Sequence, residues 1–320
     1  MNTINTILSK GDLFDISDLA CMSHATKIAA YQPESKKEPW HNLSKEIQLF
    51  FKVAFISICH QINWDYLQTR LHEELSKSEA NILVAVNNIT ATTIEEWLHD
   101  YPKRDRIRAK ERARLIRDIA QKIIEHYDAD LKLFYNTLSN SSLKGKEFEK
   151  IMDLFESYRQ DPLRKKTNVL SHEIVTEQIF KIKDIDHLQP AIDYHIMRIY
   201  LRTGRVVPKN KEIHKYLMGA PNPRAYIVSQ LRKTVGEALK LTSHYANLDI
   251  AQTNFIEWQL GRSICTNTEP ACKTKKTYPV PDAIYRLIND RCPYINECLA
   301  NTLMVDFIKF EEPLFISSNY

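Results

Sequence analysis

Residues 192–206 read IDYHIMRIYLRTGRV, and a helical pattern begins here, directly after Pro190 and an apolar pair. Asp193 stands at the start of the predicted helix 193–203, where a carboxylate accepts hydrogen bonds from free backbone N–H groups. A structural role as a helix cap is one interpretation of Asp193. A carboxylate that takes part in chemistry is the other.

Three further polar side chains follow on the same predicted helix. We interpret His195 as a packing residue near the helix start, with a role as a ligand as the alternative. Arg198 and Arg202 lie one turn apart, a spacing that suits pairing with acids or contact with phosphate groups. The helix therefore carries several candidates for a functional site.

The same periodicity predicts helices along most of the chain, whereas strand-like alternation with tight Asn-Gly or Asp-Gly turns is absent. We therefore predict an all-α fold with an N-terminal extension at 1–42, a helical core at 43–262 and a C-terminal segment at 263–320. The predicted helices are a buried one in IQLFFKVAFISICHQ, one in YLQTRLHEEL capped by Asp65, and those over 106–127, 146–158, 166–181, 193–203, 210–218, 223–245 and 251–261.

Composition narrows the function classes. The 320 residues include only six glycines, and the Gly-rich loops of dinucleotide-binding and P-loop proteins are absent. The opening MNTINTILSKGDLFD lacks the pattern of a signal peptide, and the longest apolar stretches are too short to span a bilayer. We therefore expect a cytoplasmic protein without a membrane partner, in a compartment that keeps thiols reduced.

Charge is distributed unevenly along a chain whose formal net charge is +4. Residues 103–117 read KRDRIRAKERARLIR, and further basic groups occur at 164–166 and 209–215. Clustered Lys and Arg side chains suit a nucleic-acid partner because they neutralise phosphates. A solvated helix face with interleaved acids is the alternative for 103–117.

Two cysteine couples lie near the C-terminus, Cys265-x6-Cys272 and Cys292-x5-Cys298. Thiolates are ligands of iron–sulfur clusters and of structural zinc, and four of them make a complete set for either. Buried or disulfide-bonded cysteines are the alternative. The other two cysteines, Cys21 and Cys59, lie outside this pattern.

The motif D-x-H-x-x-R-x-x-x-R-x-G at 193–204, with the cysteine couples downstream, resembles the helix-hairpin-helix DNA glycosylases of the endonuclease III type. GRSICTNTEPAC at 261–272 is the closest local similarity, and FKVAFISICHQINWDYLQTRL at 51–71 is similar to the family's early core helix. These stretches occur in the family's order and cover roughly residues 46–298. The resemblance implies two helical subdomains with a cleft between them and a C-terminal [4Fe–4S] cluster.

The resemblance also implies roles for individual residues. Asp193 corresponds to the catalytic carboxylate, and Gln61 corresponds to the side chain of a loop that penetrates the duplex. The implied cluster ligands, for which zinc is the alternative metal, are Cys265, Cys272, Cys292 and Cys298.

The sequence departs from the family in two places. Nineteen residues, 273–291, separate the second cysteine from the third, where the family has two, and they contain a segment suited to a short helix. The family's hairpin, L-P-G-x-G-x-K, has its nearest counterpart in DPLRKKTNVL, where Lys166-Thr167 resembles the K-T of the hairpin. Without the glycines, Arg164 and Lys165 are expected to hold the phosphate by charge.

Lys166 has two interpretations. In members of the family that also nick the strand, the hairpin lysine attacks the sugar. The altered hairpin instead favours a surface lysine that binds phosphate.

The function implied is removal of a damaged or modified base from double-stranded DNA by a monomer, with Arg198 and Arg202 as further DNA contacts. The departures suggest a specialised branch, such as one acting on modified bases of phage DNA. A hydrolase of free nucleosides, nucleotides or RNA is one alternative. A non-enzymatic iron–sulfur DNA-binding protein, in which Asp193 only caps its helix, is the other.

Overall fold

The computed structural model describes residues 13–34, 39–219, 222–274, 276, 278–288, 291–302 and 305–313. Helices dominate this part of the chain, and a two-stranded sheet completes it. The strands are β1 (Phe14–Ile16) and β2 (Val206–Pro208). The α-helices are α1 (Asp18–Ile28), α2 (Lys45–Ile58), α3 (Trp64–Leu75), α4 (Ile82–Asn87), α5 (Ala91–Trp97), α6 (Ala109–His126), α7 (Leu131–Asn140), α8 (Glu147–Met152), α9 (Glu156–Arg159), α10 (Lys165–Thr176), α11 (Tyr194–Thr203), α12 (Lys211–Leu217), α13 (Ala225–Ala246), α14 (Ile250–Ser263), α15 (Ala271–Thr274) and α16 (Asp282–Tyr285).

The described residues form two compact units. One contains residues 13–34 together with those from Gln189 onward, and the other contains those from 39 to Leu188. The prediction of a predominantly helical fold is confirmed. The predicted boundaries at 42 and 262 and the cleft stay predictions.

In the first unit, β1 pairs with β2 in antiparallel register, with Asp15 opposite Val207. Helix α1 packs on α13, and α11 packs on α14. The N-terminal segment, which the sequence suggested was an appendage, is thus part of this core. Its helix α1 buries Cys21, Ala25 and Ile28 completely.

The second unit is built around α2, which contacts α6, α7 and α10. Every residue of α2 from Gln48 to Ile58 is buried, as expected for its nearly continuous apolar sequence. Helix α6 is amphipathic, and its apolar stripe, including Leu115, Ile119 and Ile123, is fully buried.

Some predicted boundaries were wrong for local reasons. Asn63, rather than Asp65, caps α3, because its side-chain oxygen accepts from the backbone N–H of Tyr66 at 2.9 Å. The single helix predicted over 146–158 is two helices, α8 and α9, because Phe155 turns into the core with an extended backbone. The short helix expected between the cysteine couples is present as α16.

No helix in the described ranges combines the length and apolar character needed to cross a membrane.

Candidate functional site

Asp193 begins helix α11 in the first unit. Its side-chain Oδ1 accepts a hydrogen bond from the backbone N–H of Ile196 at 3.1 Å, so Asp193 is the helix cap. A residue of α14 holds the backbone before Asp193: the N–H of Ala191 donates to the side-chain oxygen of Asn254 at 2.8 Å. The carboxylate of Asp193 is half-buried and held in one orientation, and its catalytic role stays a prediction.

A glycine determines how closely α14 approaches the start of α11. A Cβ placed on Gly261 would lie 2.5 Å from the backbone oxygen of His195 and 2.8 Å from its carbonyl carbon. Such contacts are too short for any side chain, so only glycine fits here. Gly261, the first residue of GRSICTNTEPAC, therefore allows α14 to pack closely against the start of the predicted catalytic helix.

Arg198 connects α11 to the cysteine segment. Its Nε donates to the backbone oxygen of Cys265 at 2.8 Å, and its Nη2 donates to that of Gly261 at 2.9 Å. The same guanidinium forms an ion pair with Glu312 and is only 3% exposed. The predicted contact of Arg198 with DNA stays a prediction, and the structure shows an internal use of its N–H groups.

Arg202, one turn later, reaches the loop that follows Cys265. Its Nη1 donates to the backbone oxygen of Thr266 at 2.7 Å, and its Nη2 donates to that of Asn267 at 3.1 Å. The Nη1 atom also lies 3.7 Å from the sulfur of Cys265. Its Nε is buried without a hydrogen-bond partner among the atoms described. Arg202 thus binds the loop after Cys265 through its two Nη atoms, while its predicted DNA contact stays a prediction.

All four cysteines of the two couples line one cavity, together with Arg202. All four cysteines are free thiols, so the disulfide alternative does not describe them. Within the described residues, no three His, Cys, Asp or Glu side chains are gathered closely enough to hold one metal ion. The predicted [4Fe–4S] cluster, with zinc as its alternative, stays a prediction.

The electrostatics of the cavity disfavour bare thiolates. Burial raises the pKa of Cys298 to about 12, and the neighbouring sulfur of Cys265 adds to this rise. The pKa of Cys292 is also raised, first by burial and then by the other three cysteines. Thiolates in this cavity would therefore need a positive charge beside them.

A buried network anchors the segment between Cys292 and Cys298. The hydroxyl of Tyr294 donates to Glu257 at 2.9 Å, and Glu257 forms a bidentate ion pair with Arg205. Tyr294 is fully buried, as are both members of the ion pair. The guanidinium of Arg205 also lies 3.7 Å from the centre of the Tyr200 ring. Sequence reasoning missed this network, since no local pattern links Glu257 to Arg205, 52 positions earlier, or to Tyr294, 37 positions later.

In the second unit, Gln61 lies in the loop between α2 and α3. It has a positive φ of 57°, which is unusual for a residue with a side chain. The loop is held by Arg112 of α6, whose Nη2 donates to the backbone oxygen of His60 at 2.6 Å. Arg112 also donates to Ile58, the last residue of α2, so it satisfies carbonyl groups at that helix end.

Lys166, in the first turn of α10, points to the same helix end. Its Nζ donates to the backbone oxygen of Ser57 at 2.6 Å, and the residue is 2% exposed. Burial lowers the pKa of Lys166 to about 8, and the charges of Lys165 and Arg112 contribute. The phosphate-binding interpretation assumed an amine on the surface, whereas the amine of Lys166 is buried. The structure brings Lys166 next to the loop that carries Gln61.

The turn before α10 is organised by Asp161. Its carboxylate accepts from the backbone N–H groups of Leu163 and Lys165, both at 3.0 Å. Arg164 has a positive φ of 56° and forms an ion pair with Asp153. The expected phosphate contacts of Arg164 and Lys165 stay predictions.

No protein-family model matches this chain, and no curated protein matches it.

Proposed function

We propose that this protein is a DNA N-glycosylase that excises a damaged or modified base, with the carboxylate of Asp193 as its catalytic group. One observation carries the proposal. Asp193 begins the helix whose two arginines, Arg198 and Arg202, bind the segment of the four cysteines. Motifs far apart in the sequence therefore form one arrangement within one unit, in support of the resemblance to the endonuclease III type.

The chemistry follows from the position of the carboxylate. Loss of a base leaves positive charge on the sugar, and a fixed carboxylate stabilises that oxocarbenium-like state and orients the water that attacks it. The cap bond to Ile196 fixes the Asp193 side chain before the substrate arrives. A base inside a duplex must leave the stack to be reached, and Gln61 would fill the space that it leaves.

The turn before α10 gives independent support for a hairpin. When the lysine of the motif L-P-G-x-G-x-K is placed at Lys166, its second glycine falls at position 164. Arg164 adopts the left-handed conformation that glycine favours, with a φ of 56°. The backbone therefore has the form of a tight turn between α9 and α10 without the glycine.

We further propose that the four cysteines lining the cavity hold a [4Fe–4S] cluster, with zinc as the alternative. The four thiols that line the cavity are the donor set, and the unpartnered Nε of Arg202 suits a negatively charged centre. The metal ions of the cofactor would supply positive charge to thiolates that burial disfavours, and the cluster together with its four thiolates would be negatively charged overall. Its role would be to hold residues 265–298 in place.

The two alternatives predict different behaviour. A hydrolase of free nucleosides would not need Gln61 in an anchored loop or adjacent buried cations. A pure binding protein would use Asp193 only as a cap. The cap exists in the structure, so a substitution that preserves it and removes the charge separates an enzyme from a binder.

Asn accepts the N-cap hydrogen bond about as well as Asp. We therefore expect Asp193→Asn to keep the melting temperature and DNA affinity of the wild type and to lose base release. The measurement is mass spectrometry of bases freed from genomic DNA and from phage DNAs that carry modified bases. Asp193→Ala is the matched control, and it should lose both activity and about 1 kcal/mol of stability.

Full base release by Asp193→Asn would contradict the catalytic role. If the protein cleaves free nucleosides and does not bind duplex DNA, it is a hydrolase of free nucleosides instead. Salt-dependent DNA binding without release of any base would favour the binding protein.

A further inference from the structure

A short segment beside Gln61 carries as much net charge as the whole protein. Residues 103–112 contain six basic and two acidic residues, which gives +4, and the formal net charge of the chain is also +4. The remaining residues therefore balance to zero. We call residues 103–110 the basic turn, since they connect α5 to α6 and include the first residues of α6.

The basic residues of this segment divide into two groups. Arg104 donates to the backbone oxygens of Leu98 and His99, and Arg108 pairs with Glu111 at 2.8 Å. The other exposed cations form no side-chain hydrogen bond and no ion pair with any residue that the structure describes. These are Lys103, Arg106 and Lys110.

Three exposed cations without acidic partners are ready to take an external anion. Exposed charges contribute little to the stability of a fold even when they are paired, so these three cations are not needed for folding. The phosphate backbone of a nucleic acid is the partner that gains most from such a cluster, because each neutralised phosphate releases counterions.

The basic turn is fixed to the Gln61 loop by one buried guanidinium. Nη2 of Arg112 donates to the backbone oxygen of His60 at 2.6 Å and to that of Arg106 at 3.1 Å. Nε of Arg112 donates to the backbone oxygen of Ile107 at 2.6 Å. Two loops from distant parts of the sequence therefore meet at one side chain that is fully buried. The residue before Gln61 and the basic turn are thus anchored to the same side chain.

We propose that Lys103, Arg106 and Lys110 bind phosphates of the DNA strand beside the base that is flipped out, with Arg112 setting their register to Gln61. This inference rests on the proposed function, because it assigns the anion to duplex DNA. In this arrangement Lys103, Arg106 and Lys110 supply affinity and Gln61 supplies the contact inside the duplex.

The test measures the salt dependence of binding to a fluorescein-labelled, unmodified duplex by anisotropy, between about 50 and 200 mM salt. The variant replaces Lys103, Arg106 and Lys110 by serine. Each lost phosphate contact lowers the slope of log K against log salt by about 0.9, so a decrease of 2 to 3 is expected, with affinity at least roughly tenfold weaker. A charge-preserving variant, Lys103→Arg with Arg106→Lys and Lys110→Arg, should bind like the wild type.

The matched control removes the same charge from other exposed positions of this unit, as Lys132→Ser, Lys144→Ser and Lys150→Ser. An equal loss in this control would overturn the inference, as would a wild-type slope in the basic-turn variant. Failure of the wild type to bind the duplex would overturn both the inference and the proposed function. If the wild type binds the duplex but releases no base from any DNA, the result contradicts the glycosylase alone. The phosphate contacts are then still supported, provided that the basic-turn variant binds the duplex more weakly.

Discussion

At the residue scale, Lys166 shows most clearly what a sequence can and cannot give. The K-T pair marked this lysine as a candidate, but the altered hairpin favoured a surface role. The structure instead buries the amine against the carbonyl group of Ser57. Burial depends on α2, which lies more than a hundred positions away in the chain, and no local pattern reports such a contact.

A lowered pKa makes Lys166 a candidate nucleophile. Only the neutral amine attacks the aldehyde carbon of an abasic sugar, and its fraction rises as pH passes through about 8. We expect loss of water to give an imine, which borohydride reduces to a stable protein–DNA adduct. An abasic duplex is the probe, since it does not depend on which base the protein removes. The adduct yield should rise between pH 7 and about 9, following the pKa of the amine.

Lys166→Gln should abolish the adduct, and the neighbouring Lys165→Gln is the matched control that should retain it. If Lys166→Gln still forms the adduct, another amine is responsible. If the wild type forms none at any pH, Lys166 serves only the end of α2.

At the element scale, α11 was predicted within one residue from its own sequence, because its cap and its periodicity are local. The partners of its arginines could not be predicted in the same way. The carbonyl groups of Cys265 and Thr266 become neighbours only when α14 packs on α11. The residue type of the cysteine couples was enough to predict a shared site. The contacts of Arg198 and Arg202 with that segment could be found only from the folded structure.

The contact between α11 and α14 predicts a contrast between two glycines. Gly261→Ala should destabilise the protein by about 1–3 kcal/mol, because its Cβ would overlap the backbone of His195. Gly236 lies inside α13, where a Cβ would meet Ile192 at an ordinary 3.8 Å. Gly236→Ala should therefore be neutral or stabilising by up to about 1 kcal/mol. Urea unfolding measures both, and equal effects would contradict the packing argument.

The cysteine segment predicts the composition of the purified protein. With a [4Fe–4S] cluster the protein should be brown, with iron and acid-labile sulfide in equal amounts, and Cys272→Ser should lose the iron. Cys59→Ser, in the other unit, is the control that should keep it. A colourless protein with one zinc per chain would exclude the iron assignment.

At the scale of the whole molecule, the sequence predicted the helical class and missed how the N-terminus is used. Residues 13–34 were assigned to an extension because the sequence up to residue 40 is polar and mixed and ends in YQPESKKEPW. Their role depends on pairing with β2, nearly two hundred positions later, and on packing against α13. A two-stranded sheet of this length leaves no periodic pattern that a sequence reading can detect.

The stability of the molecule should depend on pH through a buried cluster in the second unit. Lys52 lies 2.9 Å from Glu173 and 2.5 Å from Glu177, and Glu177 also accepts from the indole N–H of Trp40 at 2.7 Å. Burial opposes the charge of Lys52, but the two carboxylates outweigh it and raise the pKa of this lysine. One carboxylate is in excess over the single cation. Burial, together with the charge of Glu173, raises the pKa of Glu177 to about 7.

A carboxyl group whose pKa is higher in the folded protein than in the unfolded chain stabilises the fold at low pH and loses that contribution as pH rises through the folded value. Glu177 should therefore contribute more stability near pH 5 than near pH 8, and the loss should occur as pH rises from the ordinary carboxyl pKa of 4.5 to the folded pKa of about 7. Glu177→Gln keeps an acceptor for Trp40 and removes the titration. As pH falls from 8 to about 5, the melting temperature of the wild type should rise relative to that of Glu177→Gln. A difference that stays constant over this range would show that Glu177 does not take up a proton in the folded protein.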